Sequence, residues 1–261
     1  MITTNIDKIN DGNAFINCDC LEGMEYIADN SVDMILTDPP YGTTRNKWDS
    51  VIPLDSLWTH YKRILKSGGV VAICSQMPFT VDVVQSNREW FRYEWIWEKH
   101  EGTGFLNANR MPLKIHENIL IFYETLPTYN PQKRQGFRPG ERGIIPSSNT
   151  KCYGEFDKHS WKSDGTRYPI DIIRFSNQNK LGNINQTQKP IRLMEYLIMT
   201  YTNKGELVFD SCAGSASTLI ASNNLGRRFI GMEKDKEMYE KALKRLEMET
   251  AQINLFQMEA L

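Results

Sequence analysis

Short apolar runs alternate with amphipathic stretches over the first 124 residues. Val32–Thr37 and Val70–Cys74 are almost continuously apolar, which is typical of strands buried on both faces of a sheet. Between them, apolar side chains recur at helical spacing over Asp55–Leu65, and Gly68 and Gly69 end that helix. The same patterns predict strands at Ala14–Cys18, Tyr93–Trp97 and Glu117–Tyr123, and helices at Leu21–Ala28 and Phe79–Ser86.

This pattern changes from Leu126 to about Lys189, where Gly, Pro, Asn, Arg and Lys replace the periodic apolar runs. Such a connection is too long for an ordinary loop, so we expect an inserted lobe over about residues 125–190. Regular patterns return afterwards, with strands predicted at Glu206–Asp210 and Arg228–Met232 and helices at Ile191–Thr202, Ser217–Asn223 and Lys236–Glu249. The sequence therefore predicts one α/β domain over residues 1–261, with a seven-stranded, mostly parallel sheet, helices on both faces and one insertion.

The composition limits the class of protein. Among 261 residues, 40% are hydrophobic and 24% charged, which is typical of a globular chain. No apolar run approaches the ~18–20 residues of a membrane span, and residues 1–8 lack the pattern of a signal peptide, so we expect a cytoplasmic protein with no membrane partner. The five cysteines and four histidines form neither a disulfide framework nor a ligand cluster, and we expect no bound metal.

The net charge of −1 conceals an uneven distribution. Residues 1–124 hold 11 basic and 17 acidic side chains, whereas residues 125–190 hold 11 basic and 5 acidic ones. Four basic side chains fall within ten residues, at Lys133, Arg134, Arg138 and Arg142. Aromatic residues are interleaved with the basic ones, so the insertion is predicted to bind a polyanion, although a solvated, irregular lobe could have the same composition.

The tetrapeptide Asp38-Pro39-Pro40-Tyr41 follows the predicted strand Val32–Thr37 directly. Functional loops of open parallel sheets lie at the carboxyl ends of strands. The prolines fix φ and remove two N–H groups, which leaves the carbonyl of Pro39 as a rigid acceptor beside an acidic group and an aromatic ring. Such a site suits a planar ring that carries an exocyclic amine, although a simple proline-bounded turn has the same residues.

A second motif follows the strand that ends at Asp210. Small residues, including Ala213, Gly214 and Ser215, lead into a predicted helix, whose free N–H groups can bind a carboxylate or phosphate. The next strand ends at Glu233, whose carboxylate suits the two hydroxyls of a ribose. This arrangement predicts a nucleoside-binding βαβ unit, although plain strand–helix packing also uses small residues.

Together the two motifs resemble those of the DNA amino-methyltransferases that use S-adenosylmethionine. Their order, with Asp-Pro-Pro-Tyr first and the small-residue loop last, is similar to that of the permuted β group of the family. The segments Asn17–Met24 and Thr187–Pro190 also resemble family segments, as does Gly68-Gly69 with the strand after it. The block from Trp97-Glu98-Lys99 to His116-Glu117-Asn118 is similar to a segment that lies near the target base. The resemblance covers nearly the whole chain outside the basic insertion.

The resemblance implies a Rossmann-like fold, S-adenosylmethionine as cofactor and double-stranded DNA as partner, with a homodimer as a further expectation. The catalytic residues that it implies are Asp38, Pro39, Pro40 and Tyr41. Asp19 would meet the adenine of the cofactor, and Lys189 would lie beside its methionine end. The implied cofactor-binding residues are Asp19, Cys20, Asp38, Lys189, Asp210, Ala213, Gly214, Ser215 and Glu233. The insertion would recognise the DNA target through Lys133, Arg134, Arg138 and Arg142.

The loop after Asp210 departs from the usual family sequence. Ser211 and Cys212 stand where Pro and Phe are usual, and Ala216 and Ser217 stand where Gly and Thr are usual. If Ala216 adopts a positive φ, the conformation costs roughly 1 kcal/mol relative to glycine.

The implied reaction is methylation of adenine N6 after the base has left the duplex. Asp38 and the Pro39 carbonyl would each accept one N–H of the amine and so localise its lone pair, while Tyr41 would stack on the base. Cytosine N4 is the alternative target; Asp38 favours adenine, because Ser is more frequent at that position for cytosine. Two other interpretations are methylation of glutamine amides, against which Asp38 and the basic insertion argue, and a DNA-binding protein with weak catalysis.

Overall fold

The computed structural model describes residues 2–43, 49–145, 148–150, 154–156, 159–177, 184 and 187–259. The chain divides into two compact units, one formed by Met1–Asn130 with Asp171–Leu261 and the other by Pro131–Ile170. The strands in chain order are β1 (Ile2–Thr3), β2 (Asn13–Asn17), β3 (Val32–Thr37), β4 (Leu65–Ser75), β5 (Phe91–Thr103), β6 (Lys114–Phe122), β7 (Gly140–Ile145), β8 (Ser148–Thr150), β9 (Gly154–Phe156), β10 (His159–Ser163), β11 (Ile172–Arg174), β12 (Leu207–Asp210) and β13 (Arg228–Glu233). The α-helices are α1 (Cys20–Met24), α2 (Leu54–Ile64), α3 (Phe79–Ser86), α4 (Ile191–Tyr201), α5 (Ser217–Asn224) and α6 (Lys236–Glu259).

The larger unit is built on a nine-stranded sheet with the order β1-β2-β13-β12-β3-β4-β6-β5-β11. Neighbouring strands are parallel, except that β6 is antiparallel to both β4 and β5. The carboxyl ends of β2, β13, β12 and β3 therefore meet at one edge of the sheet, where ligands of open α/β sheets bind. Because β6 runs in the opposite direction, its amino end, near Asn118, reaches the same edge opposite Ser75.

All seven strands predicted from the sequence are present, but the prediction of seven strands was wrong, because the sheet has nine strands among the described residues. The additional strands, β1 and β11, have two and three residues and lie at the two ends of the sheet. A run this short shows no alternation of apolar and polar side chains. Its strand character comes from backbone pairing with β2 and β5, which only the folded chain provides.

The helices differ from the prediction mainly at their ends. The α1 helix begins at Cys20, because the Asp19 side chain caps it by accepting a hydrogen bond from the backbone N–H of Leu21 at 2.9 Å. It ends at Met24, after which the chain continues in tighter turns, such as the bond from the Ile27 N–H to the Met24 carbonyl. The last helix, α6, extends beyond the predicted Glu249 to Glu259.

Apolar side chains are buried on both faces of the main sheet. In β3, Ile35 packs into a core with α2, whereas its neighbours Met34 and Leu36 pack into a second core with α4. Helices therefore cover both faces, which explains why β3 is an almost continuous apolar run. No helix of the described chain is long and apolar enough to cross a membrane.

The smaller unit contains short strand pairs, although the sequence showed no regular pattern there. β7 pairs with β10 and β8 pairs with β9, both in antiparallel orientation. Arg134 and Arg167 exchange two backbone hydrogen bonds of 2.8 and 3.0 Å. Backbone pairing thus gives order to the described part of this unit.

Candidate active site

Asp38 follows the carboxyl end of β3 and is held by two side chains. The hydroxyl of Tyr41 donates a hydrogen bond of 2.6 Å to Asp38 Oδ1, and Lys189 Nζ lies 2.5 Å from Asp38 Oδ2. The Tyr41 ring stacks on Phe79, with ring centroids 5.3 Å apart. Burial, together with Asp38, raises the pKa of Tyr41 well above its usual value, so the hydroxyl keeps its proton and remains a donor.

Lys189 comes from the segment before α4 and is more than nine-tenths buried. Its ammonium also lies 3.3 Å from Glu117 Oε2 at the amino end of β6. Burial alone would lower the pKa of Lys189, but the carboxylates of Asp38 and Glu117 raise it above the usual value. Lys189 is therefore a fixed positive charge between two carboxylates.

Glu117 has a second cationic partner, Lys99 of β5, with which it forms an ion pair. Lys99 Nζ also lies 5.3 Å from the centroid of the Trp97 ring. The sequence showed only that this block resembles a family segment near the target base and did not indicate the ion pair. No feature of the sequence singles out Lys99 and Glu117, because β5 carries several other charged side chains, among them Glu94 and Glu98.

The loop after β12, from Asp210 to Ser217, packs against the end of β3. The Ser211 hydroxyl shares hydrogen bonds with Thr37 Oγ1 at 3.0 Å and with the Tyr61 hydroxyl at 2.6 Å. The serine that replaces the usual proline is therefore a buried hydrogen-bonding link between β3, α2 and the loop. It places the loop directly beside Asp38, the next residue after Thr37.

Asp210 is buried at the start of this loop and accepts a hydrogen bond of 3.0 Å from the Cys212 N–H. Burial raises the pKa of Asp210 to about 7, while hydrogen bonds from Thr218 and Thr37 act in the opposite direction. The neighbouring Cys212 thiol lowers the pKa of Cys20, whereas Cys20 and burial raise the pKa of Cys212 well above its usual value.

The backbone of the loop has two residues in the left-handed region. Gly214 has φ +48° and Ala216 has φ 62°. Ala216 therefore does adopt the positive φ considered from the sequence. The carbonyl of Ser215 accepts a hydrogen bond of 2.7 Å from Arg245 of α6, which also donates to Ser217. Arg245 thus stabilises the loop, and no sequence motif indicated this role.

Glu233, at the end of β13, is connected to the same loop. One carboxylate oxygen accepts a hydrogen bond of 2.9 Å from the Gly214 N–H, and the other accepts one of 2.8 Å from the Asp235 N–H. Burial raises the pKa of Glu233, whereas these two backbone bonds act against that change. The predicted ribose-binding carboxylate therefore lies beside the predicted cofactor loop.

Asp19 lies at the carboxyl end of β2, the strand that neighbours β13. Lys234 Nζ donates a hydrogen bond of 2.9 Å to Asp19 Oδ2. Burial would raise the pKa of Asp19, but the hydrogen bond from Lys234 lowers it overall. The backbone N–H of Cys18 bonds the Glu233 carbonyl at 3.2 Å, which brings the Asp19 segment next to Glu233.

The predicted DNA-contacting side chains belong to the smaller unit. Lys133 lies over the Tyr168 ring at 5.5 Å, and Arg134 lies over the Phe137 ring at 5.3 Å. Arg138 is exposed. The side chain of Arg142 is outside the described part of the structure.

Comparison with known proteins identifies the family. A family model described as DNA methylase matches residues 32–244. The chain is 26% identical to the Type II methyltransferase M.HinfI of Haemophilus influenzae, over 92% of this chain and 70% of that protein. It is also 26% identical to the DNA adenine methyltransferase YhdJ of Escherichia coli K12, over 92% and 84%.

Two solved structures share the fold. The M1.HpyAVI–SAM complex superposes with a TM-score of 0.63 at 22% identity and covers 94% of this chain and 99% of its own. The PvuII DNA methyltransferase, described as cytosine-N4-specific, superposes with a TM-score of 0.66 at 15% identity and covers 97% and 94%. Because the family model spans both motifs and most of the chain, the protein belongs to the DNA methylase family.

Proposed function

We propose that this protein transfers a methyl group from S-adenosylmethionine to N6 of adenine in double-stranded DNA. The observation that carries the proposal is the hydrogen bond of 3.0 Å between Thr37 and Ser211, which joins the Asp38 turn to the loop after β12. The Asp38 turn, which would bind the target amine, and the loop after β12, which would bind the cofactor, thus lie side by side, as direct methyl transfer requires. Membership of the DNA methylase family supports the reaction class.

The residues at this sheet edge fit S-adenosylmethionine. A Cβ atom at Gly214 would meet nothing closer than the Cys212 carbonyl oxygen at 3.9 Å, so there is space for a ligand beside the loop backbone. Glu233 would hold the ribose and Asp19 the adenine of the cofactor. The loop residues Asp210, Ala213, Gly214 and Ser215 would surround its other end, beside Lys189, whereas Cys20 would lie with Asp19. When bound, the cofactor supplies a methyl group activated by its sulfonium.

Asp38 would act on the target amine. Each oxygen of a carboxylate has two acceptor positions, so the bonds from Tyr41 and Lys189 leave room for an N–H of the base. The Pro39 carbonyl would accept the second N–H. Drawing both hydrogens towards acceptors localises the nitrogen lone pair for attack. After transfer the methylated amine is acidic and gives its proton to Asp38 or to water.

The target base must leave the duplex to reach this position, and Tyr41 beside Asp38 would replace part of its lost stacking. The unit Pro131–Ile170 would recognise the DNA sequence, because Lys133, Arg134 and Arg138 can contact phosphates and bases. The insertion over about residues 125–190 therefore remains our proposed target-recognition region of a single methyltransferase domain.

Two further expectations accompany the function. A protein that modifies the DNA of a bacterium works in the cytoplasm, and the relatives named above are bacterial. A homodimer remains a prediction, which sedimentation at several protein concentrations would test.

The experiment that tests the function has two parts. Purified protein is incubated with a DNA duplex and cofactor labelled in the transferred methyl group, and the DNA is then hydrolysed to nucleosides. We expect the label in N6-methyl-2′-deoxyadenosine. Label in N4-methyl-2′-deoxycytidine would support the cytosine alternative. DNA binding without incorporated label would indicate a DNA-binding protein with weak catalysis.

A further inference from the structure

Four charged side chains form a continuous chain next to the Asp38 turn. Asp38 pairs with Lys189 at 2.5 Å, Lys189 lies 3.3 Å from Glu117, and Glu117 pairs with Lys99. Asp38 follows β3, and Lys189 comes from the segment before α4. Glu117 lies near the amino end of β6, and Lys99 lies in the second half of β5. They are separated widely in sequence, yet they alternate in charge and have no net charge as a set.

Three members of this quartet, Lys99, Glu117 and Lys189, are more than nine-tenths buried. A buried charge without a partner is strongly unfavourable, so each ammonium needs an adjacent carboxylate. Burial would raise the pKa of Glu117, but Lys189 and Lys99 lower it overall, which keeps the carboxylate ionised. An ion pair inside a protein is often no more stabilising than an apolar pair of the same volume. A gain in the stability of the folded protein is therefore a weak explanation for these buried ion pairs.

Lys189 has a position that affects the proposed chemistry. Its ammonium holds one oxygen of Asp38 while the Tyr41 hydroxyl holds the other, so these two donors fix the plane of the carboxylate. A cation bound only to Asp38 would withdraw electron density from the oxygen that must accept the amine. Glu117 offsets part of that positive charge, because its Oε2 lies 3.3 Å from the same ammonium.

We propose that Glu117 and Lys99 are positioning residues for methyl transfer, which hold Lys189 so that Asp38 is oriented and remains a good acceptor. This inference rests on the proposed function. Glu117 acts through Lys189. Lys99 acts through Glu117, because it pairs with that carboxylate and balances its negative charge. Neither residue needs to touch the cofactor or the target base.

The test uses a variant that removes the influence of Glu117 without leaving a buried charge. Glu117→Gln alone leaves Lys99 unpaired and risks misfolding, so the main variant is the double change Lys99→Met with Glu117→Gln. The matched control is Glu94→Gln: Glu94 lies on β5 and accepts a hydrogen bond of 2.6 Å from Asn118, the neighbour of Glu117. Glutamine keeps that bond and removes one carboxylate from the same pair of strands.

For each variant we would measure thermal unfolding, equilibrium binding of cofactor and of a DNA duplex, and the single-turnover rate of methyl transfer. We expect the double variant to unfold at the wild-type temperature and to bind both ligands within about threefold, while its transfer rate falls by tenfold or more. The control Glu94→Gln should keep the wild-type rate. Lys99→Arg, which keeps the ion pair, should also retain most of the rate.

The outcomes separate this inference from the proposed function. A double variant that transfers methyl groups as fast as wild type overturns the inference alone, provided that Asp38→Ala is inactive. A double variant that unfolds or no longer binds the cofactor shows that the quartet is a structural element, and the inference is then wrong as well. A wild-type protein that transfers no methyl group to DNA contradicts the proposed function, and the inference with it.

Discussion

Lys189 Nζ lies 2.5 Å from Asp38 Oδ2, although 151 positions separate the two residues in the chain. The contact connects the segment before α4 with the turn after β3. Asp38 is consequently not a free carboxylate: a cation and the Tyr41 hydroxyl orient it. The proposed amine acceptor is therefore held in place before any substrate arrives, which lowers the entropic cost of the reactive geometry.

Replacing Asp38 should separate catalysis from cofactor binding. We expect Asp38→Ala to abolish methyl transfer, because one of the two amine acceptors is lost, and to change cofactor affinity by only a few-fold. Transfer of labelled methyl groups and calorimetric titration measure the two effects. Asp82→Ala, which removes an exposed carboxylate of α3, is the control and should resemble wild type. Near-normal turnover of Asp38→Ala would refute its assignment, and loss of cofactor binding would move Asp38 to the cofactor site.

Glu233 is expected to act on the cofactor rather than on the DNA. Glu233→Ala should weaken cofactor binding by ~1–3 kcal/mol, the cost of an unmade charged hydrogen bond. Part of this loss comes from the loop, since Glu233 also accepts the Gly214 N–H. Glu237→Ala, an exposed change on α6, is the control for equilibrium titration. Unchanged affinity of Glu233→Ala would mean that the ribose is held elsewhere.

The basic side chains of the smaller unit should determine how DNA binding depends on salt. Replacing Lys133, Arg134 and Arg138 together by Ala should weaken DNA binding. The slope of log affinity against log salt concentration should also become less negative by up to about 3, since each phosphate contact contributes about −0.9 to that slope. Cofactor binding should hardly change.

A triple alanine change on α6, at Lys236, Lys241 and Lys244, removes the same charge from another exposed surface and is the matched control. Titrations with one duplex at several salt concentrations provide the slopes. If the insertion variant keeps the wild-type slope while the control loses it, the DNA surface lies elsewhere.

Asp210 should make stability depend on pH. Burial raises its pKa from 3.8 to about 7 in the folded protein. Between these values the folded chain keeps a proton that the unfolded chain has lost. Asp210 therefore makes its full contribution to the free energy of unfolding below about pH 4, and this contribution is lost as the pH rises through 7. At about 1.4 kcal/mol per pH unit, the loss reaches at most about 4 kcal/mol.

Urea unfolding of wild type and Asp210→Asn at several pH values isolates this contribution. The free energy of unfolding of wild type minus that of Asp210→Asn should fall as the pH rises from about 4 to 7 and then remain level. Asp82→Asn corrects for the general effect of replacing a carboxyl. A difference that stays constant with pH would show that Asp210 is ionised in the folded protein throughout.

The left-handed backbone of Ala216 should make glycine unusually well tolerated there. Ala216→Gly relieves strain of ~1–2 kcal/mol. It also removes a buried methyl group worth ~0.8 kcal/mol and increases the freedom of the unfolded chain by ~0.4–1 kcal/mol. These contributions cancel within about 1 kcal/mol. Ala221→Gly inside α5, which is equally buried, gains no such relief and should destabilise by ~1–2 kcal/mol. Equal losses in urea unfolding of both variants would contradict this account.

The amino-acid sequence determined the main strands and the residues that follow them. Val32–Thr37 reads as a buried strand because both of its faces must be apolar, and the structure buries it between two cores. Since parallel strands place their carboxyl ends at one edge, Asp38, Asp210 and Glu233 could be assigned to one site from their positions alone.

Tertiary structure alone decided which side chains meet. The edge strands β1 and β11 have no periodicity of their own and exist because a neighbour pairs with them. The contacts of Lys189 with Asp38 and Glu117 join distant segments, and a lysine in a sequence does not show which carboxylate it will face. Local periodicity reflects the burial of one segment at a time, whereas an ion pair depends on the register and packing of several segments at once.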